Sequence, residues 1–233
     1  MLTTGQWRIR QVDYYNAPLG REVRSTSPYR WWLGGVAWMD HVITGRPIGQ
    51  AVEHAARFAD PILHGVMLVI GTVFIAWQFG FFSAALFSVG LTTLFPLAAE
   101  FLPGVPDHHG LAWICGMSVV LIVLAGIRRE NRGPRWFAVA GLLGGVGVWL
   151  DVSIGMSVVA GVASGGILAV WLGHHAKENA TGALSAAAWR SWSFAGTATI
   201  LAAYLVEYYP AHLGEWHPEV IHPLYGFIWI GVG

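Results

Sequence analysis

Pro61 to Gln78, PILHGVMLVIGTVFIAWQ, carries no formal charge over eighteen positions, and the chain repeats this kind of segment several times. A helix needs roughly 20 mostly apolar residues to cross about 30 Å of hydrocarbon, so runs of this length restrict the chain to folds whose outer surface is lipid. Further runs are Phe81 to Ala99, Gly110 to Ile127, Trp136 to Leu150, Gly155 to Leu172 and Ser191 to Val206, each bounded by a charge or a turn residue. The expectation is an all-α, polytopic transmembrane bundle of six complete spans, with a seventh beginning at Pro223 and cut short at Gly233. The polar, arginine-rich start lacks a signal peptide's apolar core, so a missing upstream span is expected as well. Charged residues make up only 11% of the 233, against about 25% in soluble domains. The 13 basic and 13 acidic residues cancel, which excludes a basic nucleic-acid-binding domain. Cys115 is the single cysteine, so neither an internal disulfide nor a thiolate metal site is available.

Two domains are expected: residues 1–60 as an external loop, and 61–233 as the bundle. Within the loop, Tyr29 to Ile43 holds Trp31, Trp32 and Trp38. Pro47 to Ala59 places Ile48, Val52, Ala55, Ala56 and Ala59 at helical spacing beside Glu53, His54 and Arg57. Both stretches suit interfacial helices lying along the membrane, and equally suit ordinary surface helices. Residues 127–135, IRRENRGPR, concentrate four arginines, which makes the 128–135 loop cytoplasmic by the positive-inside rule. Counting spans outward puts residues 1–60, the 100–109 loop, the Asp151 turn and the 207–222 loop on the extracytoplasmic side. The seven arginines of residues 1–60 strain that rule, and phosphate binding by guanidinium forks is one reason to keep them outside.

Ionisable groups beside or within spans are the natural candidates for function. The sharpest cluster is PGVPDHHG, 103–110, in which an extended chain presents Asp107 and His109 on one side with His108 between them. A divalent ion there would need further oxygens, from Asp13, Glu22 or Glu100, or from a substrate phosphate. The competing reading makes Asp107 the N-cap of the helix that follows, and both stay open. The first loop offers Asp13, Tyr14, Tyr15, Glu22, Arg21 and Arg24 as a carboxylate-and-arginine set. Residues 207–223 gather Glu207, Glu215, Glu219, His212, His217 and His222, spaced like a polar rim around a substrate cleft rather than a fixed metal motif. His174 and His175 read as interface histidines, and Asp151 as a cavity residue or a helix cap.

This arrangement resembles the GT-C glycosyltransferases, and within them the catalytic subunits of archaeal and bacterial oligosaccharyltransferases. GVPDHHG at 104–110, after the expected spans, carries the resemblance to those subunits, while YNAPLGRE at 15–22 and EVIHPLY at 219–225 resemble bacterial membrane proteins related to the same superfamily. It implies a GT-C-like bundle in a bacterial inner membrane that transfers a sugar or glycan from a polyprenyl phosphate or pyrophosphate to an acceptor on the extracytoplasmic face. It further implies Mn²⁺ or Mg²⁺ as cofactor. Asp107, His109 and Asp13 would be metal ligands, Asp13 and Asp107 would be catalytic, and Arg21, Arg24, Glu22, His108, Glu219 and His222 would line the substrate. The implied partners are a lipid-linked sugar donor and the bilayer, with no nucleic acid. A transporter or channel subunit is the alternative of a different class. A haem protein is disfavoured, since His64 is the only histidine well inside a span.

Overall fold

A computed structural model describes residues 2, 5–6, 8–13, 17–23, 27–128, 133–175, 185–210 and 212–232, with only the backbone at 22 and 173–175. The described elements are helical apart from one hairpin. Strands β1 (Gln11–Val12) and β2 (Arg21–Glu22) pair antiparallel, Gln11 opposite Glu22 and Val12 opposite Arg21. Eight α-helices follow: α1 (Pro28–Thr44), α2 (Ile48–Phe79), α3 (Phe81–Thr93), α4 (His108–Ile127), α5 (Gly133–Leu150), α6 (Val152–His175), α7 (Ala186–Tyr208) and α8 (Pro223–Val232). A 3-10 helix, Leu97–Phe101, sits between α3 and α4.

Three of these helices, α2, α4 and α6, are long and apolar enough to cross a membrane. Their outward faces agree with lipid rather than water. Val69, Ile70 and Val73 on α2 are each 64% exposed, a contiguous apolar surface that a water-soluble monomer does not present. Helices α3 and α8 are apolar but shorter.

Two expected boundaries change. The second interfacial helix and the first span are one helix: α2 runs through Pro61 without a break and measures about 48 Å at 1.5 Å per residue. The reason is a buried alanine stripe. Ala51, Ala55 and Ala59 recur every four residues with almost no exposure, and the Trp32 indole of α1 donates to the Ala59 carbonyl at 3.2 Å. That packing outweighs the one backbone bond that Pro61 withholds, so the helix continues across 60/61. The segment expected to span from Phe81 to Ala99 instead ends its helix at Thr93. Thr92 and Thr93 turn their hydroxyls back onto the Val89 carbonyl, at 3.1 and 2.7 Å, and Pro96 excludes Phe95 from helical geometry.

At the centre, α5 and α7 approach so closely that glycine is required. A Cβ on Gly141 would lie 2.3 Å from the Trp192 carbonyl oxygen, and one on Gly145 2.5 Å from Thr199 Cβ. The buried indole of Trp229, from α8, rests on Gly144 and Gly196 and meets Trp192 with ring centroids 5.0 Å apart. Phe137, Val148, Ile200 and Ala203 complete this core.

One end of the bundle collects the N-terminal segment, the α3–α4 connection, the Asp151 turn and the chain after α7. Arg10 Nη2 donates to the Tyr209 carbonyl at 3.0 Å, and the Asp107 backbone N–H donates to Asp60 at 3.2 Å. At the other end Arg128 Nη1 donates to the Gln78 carbonyl at 3.0 Å.

Candidate functional site

The site forms where α4 starts, α5 ends and α6 starts. A turn at Pro103 and Gly104, the latter at φ +84°, leads through Pro106 into Asp107, which enters α4 as the N-cap residue with φ −140° and ψ 147°. Its side chain makes no cap hydrogen bond. The carboxylate lies instead 2.8 Å from His108 Nδ1 and 3.0 Å from His109 Nδ1, and the two imidazole centroids are 4.4 Å apart. One ligand atom from each of Asp107, His108 and His109 fits within a 4.8 Å spread. Ligands on opposite sides of one divalent ion sit about this far apart, so the donor set fits a metal by both spacing and chemistry.

Two more carboxylates complete the surroundings. Asp151 Oδ2 lies 3.4 Å from His109 Nε2 and 3.6 Å from His108 Nε2. Its Oδ1 accepts from the Ile154 N–H at 2.9 Å and the Ser153 hydroxyl at 2.7 Å, so one side chain both caps α6 and faces the histidines. Burial pulls its pKa upward, but these two hydrogen bonds and the neighbouring imidazoles prevail and hold Asp151 below the usual carboxylate range. Glu100 Oε2 stands 3.8 Å from His109 Nδ1.

Behind Asp107 lies Asp60, 2% exposed, whose two oxygens each accept from the Tyr29 hydroxyl at 2.9 Å. Burial first, then the hydrogen bond to Asp60, raises the Tyr29 phenol well above its usual range. A cleft of about 310 Å³ opens beside these groups, its walls including Tyr29, Arg30, Asp107, His108, Asp151 and Glu219. Burial pulls the Arg30 guanidinium below its usual range, with Glu207 opposing and Arg8 reinforcing the shift. Glu207 itself is buried and fully engaged. It accepts from Ser27 N–H at 2.7 Å, Ser27 Oγ at 3.1 Å and Trp149 Nε1 at 2.8 Å, and pairs with Arg8 Nε at 3.0 Å.

The structure thus brings together Asp107, His108, His109 and, at the cleft, Glu219. It does not bring Asp13 into the metal-ligand group, which among the described residues consists of Asp107, His108 and His109. Asp13 follows the hairpin's first strand and lines a different hollow with Gln6, Arg8, Arg10 and Gln11. Arg21 sits in β2 opposite Val12, Glu22 is described only by its backbone opposite Gln11, and Arg24, Tyr14 and Tyr15 lie outside the described residues. His222 accepts from the Leu224 N–H at 3.2 Å and packs against Trp216 with centroids 4.9 Å apart; the cleft lining takes in the preceding Glu219, Val220 and Ile221. His212, Glu215, His217 and Glu219 form a chain of contacts at 2.8, 3.2 and 3.2 Å, a rim rather than a ligand cage. The hydrogen bond and charge of His212, ahead of those of His217, hold exposed Glu215 below the usual range. His64 Nε2 lies 3.1 Å from the Leu91 carbonyl, and the ring stacks on Phe101.

Asp60 and Tyr29 join the site without having been singled out in the sequence, whereas Arg30 is one of the seven arginines of residues 1–60 for which phosphate binding is expected. A carboxylate at the edge of an apolar run is the signal that marks Asp60. No family model, curated protein or solved structure matches this chain.

Proposed function

We propose that the chain is a polytopic membrane glycosyltransferase, transferring a sugar or glycan from a polyprenyl phosphate or pyrophosphate to an acceptor on the extracytoplasmic face of a bacterial inner membrane. The observation that carries this reading is the Asp107 carboxylate, which forgoes its helix cap and faces two imidazoles at the mouth of a cleft that also holds an arginine. The resemblance of 104–110 to the corresponding turn of oligosaccharyltransferase catalytic subunits supplies the reaction class. The site end faces outward in this reading because Arg128, of the arginine-rich segment, lies at the opposite end beside Gln78. The GT-C-like architecture and the count of six spans, with α5 and α7 crossing inside the bundle, form part of the same proposal.

Asp107, His108 and His109 would hold the divalent ion, and a set with two imidazoles favours Mn²⁺ over the oxygen-seeking Mg²⁺. Bound there, the ion supplies positive charge to a departing phosphate. In the transfer, a bond forms between the acceptor and the sugar's anomeric carbon. The bond from that carbon to phosphate oxygen breaks, and the electron pair leaves with the phosphate. Arg30 offers its guanidinium to the phosphate oxygens from the cleft wall. Glu219, at the rim beside His217, would take the acceptor's proton, whereas Asp13 lines a different hollow.

The test is Mn²⁺ titration of the protein in detergent by electron paramagnetic resonance, together with release of polyprenyl phosphate from a polyprenyl-phosphate-linked sugar. Asp107→Ala and His109→Ala are each expected to weaken Mn²⁺ binding by more than about 100-fold and to abolish release. A wild-type protein that binds no Mn²⁺ and releases no polyprenyl phosphate overturns the reading, and solute uptake into proteoliposomes then becomes the assay for a transporter.

A further inference from the structure

We propose that Asp60 is a positioning residue that keeps Asp107 available to a metal by holding it out of its helix-capping role. The inference rests on the reading of Asp107 as a ligand and deepens it.

Aspartate is among the best N-cap residues because its carboxylate accepts from the free amides of the first helical turn. Asp107 has the extended backbone of an N-cap and stands directly before α4, yet its side chain caps nothing. Its carboxylate is engaged by the two imidazoles, and its backbone is held by Asp60. The Asp60 Oδ2 accepts the Asp107 backbone N–H at 3.2 Å, tying the start of α4 to the middle of α2 across a separation of 47 residues. Both Asp60 oxygens are held in turn by the Tyr29 hydroxyl, so one buried carboxylate joins α1, α2 and the approach to α4.

Charge acts in the same direction as geometry. A carboxylate at 2% exposure repels a second carboxylate on the residue whose amide it holds, and the Asp107 oxygens lie instead against the two imidazoles, at 2.8 and 3.0 Å. Without the Asp60 charge, the cap is the local minimum for an aspartate at this position. The carboxylate would then leave His108 and His109 for the amides of the first turn. Outer groups that orient ligands in this way commonly govern affinity without touching the ion.

Asp60→Asn tests this, since it keeps the size and a carbonyl acceptor while removing the charge. Mn²⁺ binding in detergent is expected to weaken about 10- to 100-fold. Hydrogen exchange over residues 105–112 of the metal-free protein is expected to slow in the first turn of α4 as Asp107 takes up its cap. Asp60→Glu, which restores the charge, is expected to recover part of the affinity. A purely structural role for Asp60 would lower the thermal midpoint while leaving Mn²⁺ affinity and the exchange pattern of α4 unchanged. That outcome, or a wild-type Mn²⁺ affinity in Asp60→Asn, overturns the proposal. If the wild-type protein binds no Mn²⁺, the metal reading fails on its own and the exchange measurement decides whether Asp60 restrains Asp107. If Asp60→Asn does not fold, Tyr29→Phe carries the test. It removes the phenol that orients Asp60, and it is expected to weaken Mn²⁺ binding by a smaller factor in a folded protein. Unchanged affinity there overturns the proposal too.

Discussion

Glu207→Ala is expected to lower the thermal midpoint of the protein in detergent by roughly 10 °C, and to release the N-terminal segment before the bundle itself comes apart. The carboxylate is 2% exposed and receives Ser27 N–H, Ser27 Oγ and Trp149 Nε1 in addition to the Arg8 ion pair. Removing it leaves a guanidinium with only 8% side-chain exposure beside an uncharged cavity. It also strands a part-buried indole N–H and a buried hydroxyl. Breaking a buried pair from one side costs about 3–5 kcal/mol, because the remaining charge cannot regain water. For a chain of this length each kcal/mol moves the midpoint by roughly 2–4 °C. Arg8 also lies over the Tyr208 ring, 5.8 Å from its centroid, so some of the segment's hold survives the substitution. Glu207→Gln, which keeps one acceptor oxygen for Ser27 N–H and Trp149 Nε1 but replaces the oxygen facing Ser27 Oγ and Arg8 with an amide donor, is expected to cost less than the alanine change. Scanning calorimetry at one fixed rate gives the ranking, and limited proteolysis within residues 8–30 reports the local release. Equal midpoints for wild type and Glu207→Ala would show that the N-terminal segment is held by packing alone.

The sequence exposed much of this architecture, and the gaps have physical causes. Runs free of charge locate α2, α4 and α6, since lipid tolerates few ionised groups and the signal extends over whole helices. The cluster at Asp107, His108 and His109 was legible because three neighbouring residues need no tertiary information to be near one another. Asp60 was not legible in the same way. It precedes a proline, and a proline after a polar stretch reads as a boundary. Only the alanine stripe at 51, 55 and 59, buried against α1, makes the helix continuous and carries Asp60 inward. Glu207 read as one acid in a polar rim, whereas the fold buries it against residues 180 positions earlier. Asp13 shows the converse, a carboxylate of suitable chemistry that the hairpin directs to another hollow. Asp151 was left between two roles and fills both, one oxygen for the helix and one for the histidines.

The second large effect is expected at Gly141, where the backbones of α5 and α7 nearly touch. An added Cβ would meet the Trp192 carbonyl oxygen at 2.3 Å, the Gly196 nitrogen at 3.0 Å and Ala195 Cβ at 3.0 Å. Two of these are backbone atoms, which no rotamer change can move aside, so the helices themselves must separate. Overpacking of this kind costs about 1–3 kcal/mol for a single methyl and more for a branched side chain. Gly141→Ala is therefore expected to lower the thermal midpoint by several degrees, and Gly141→Leu to prevent recovery of folded protein. The control is Gly161→Ala on α6, where a Cβ meets nothing within 4 Å; it is expected to be neutral or slightly stabilising, as alanine is the better helix former. If Gly141→Ala and Gly161→Ala behave alike, the close α5–α7 contact is not what sets the stability of the bundle. The effect should also reach the site. Helix α5 ends at Leu150, and the next residue is Asp151, 3.4 Å from His109. Prising α5 from α7 displaces that carboxylate relative to the histidines, so Gly141→Ala is expected to weaken Mn²⁺ binding in protein that remains folded, whereas Gly161→Ala is expected to leave it unchanged.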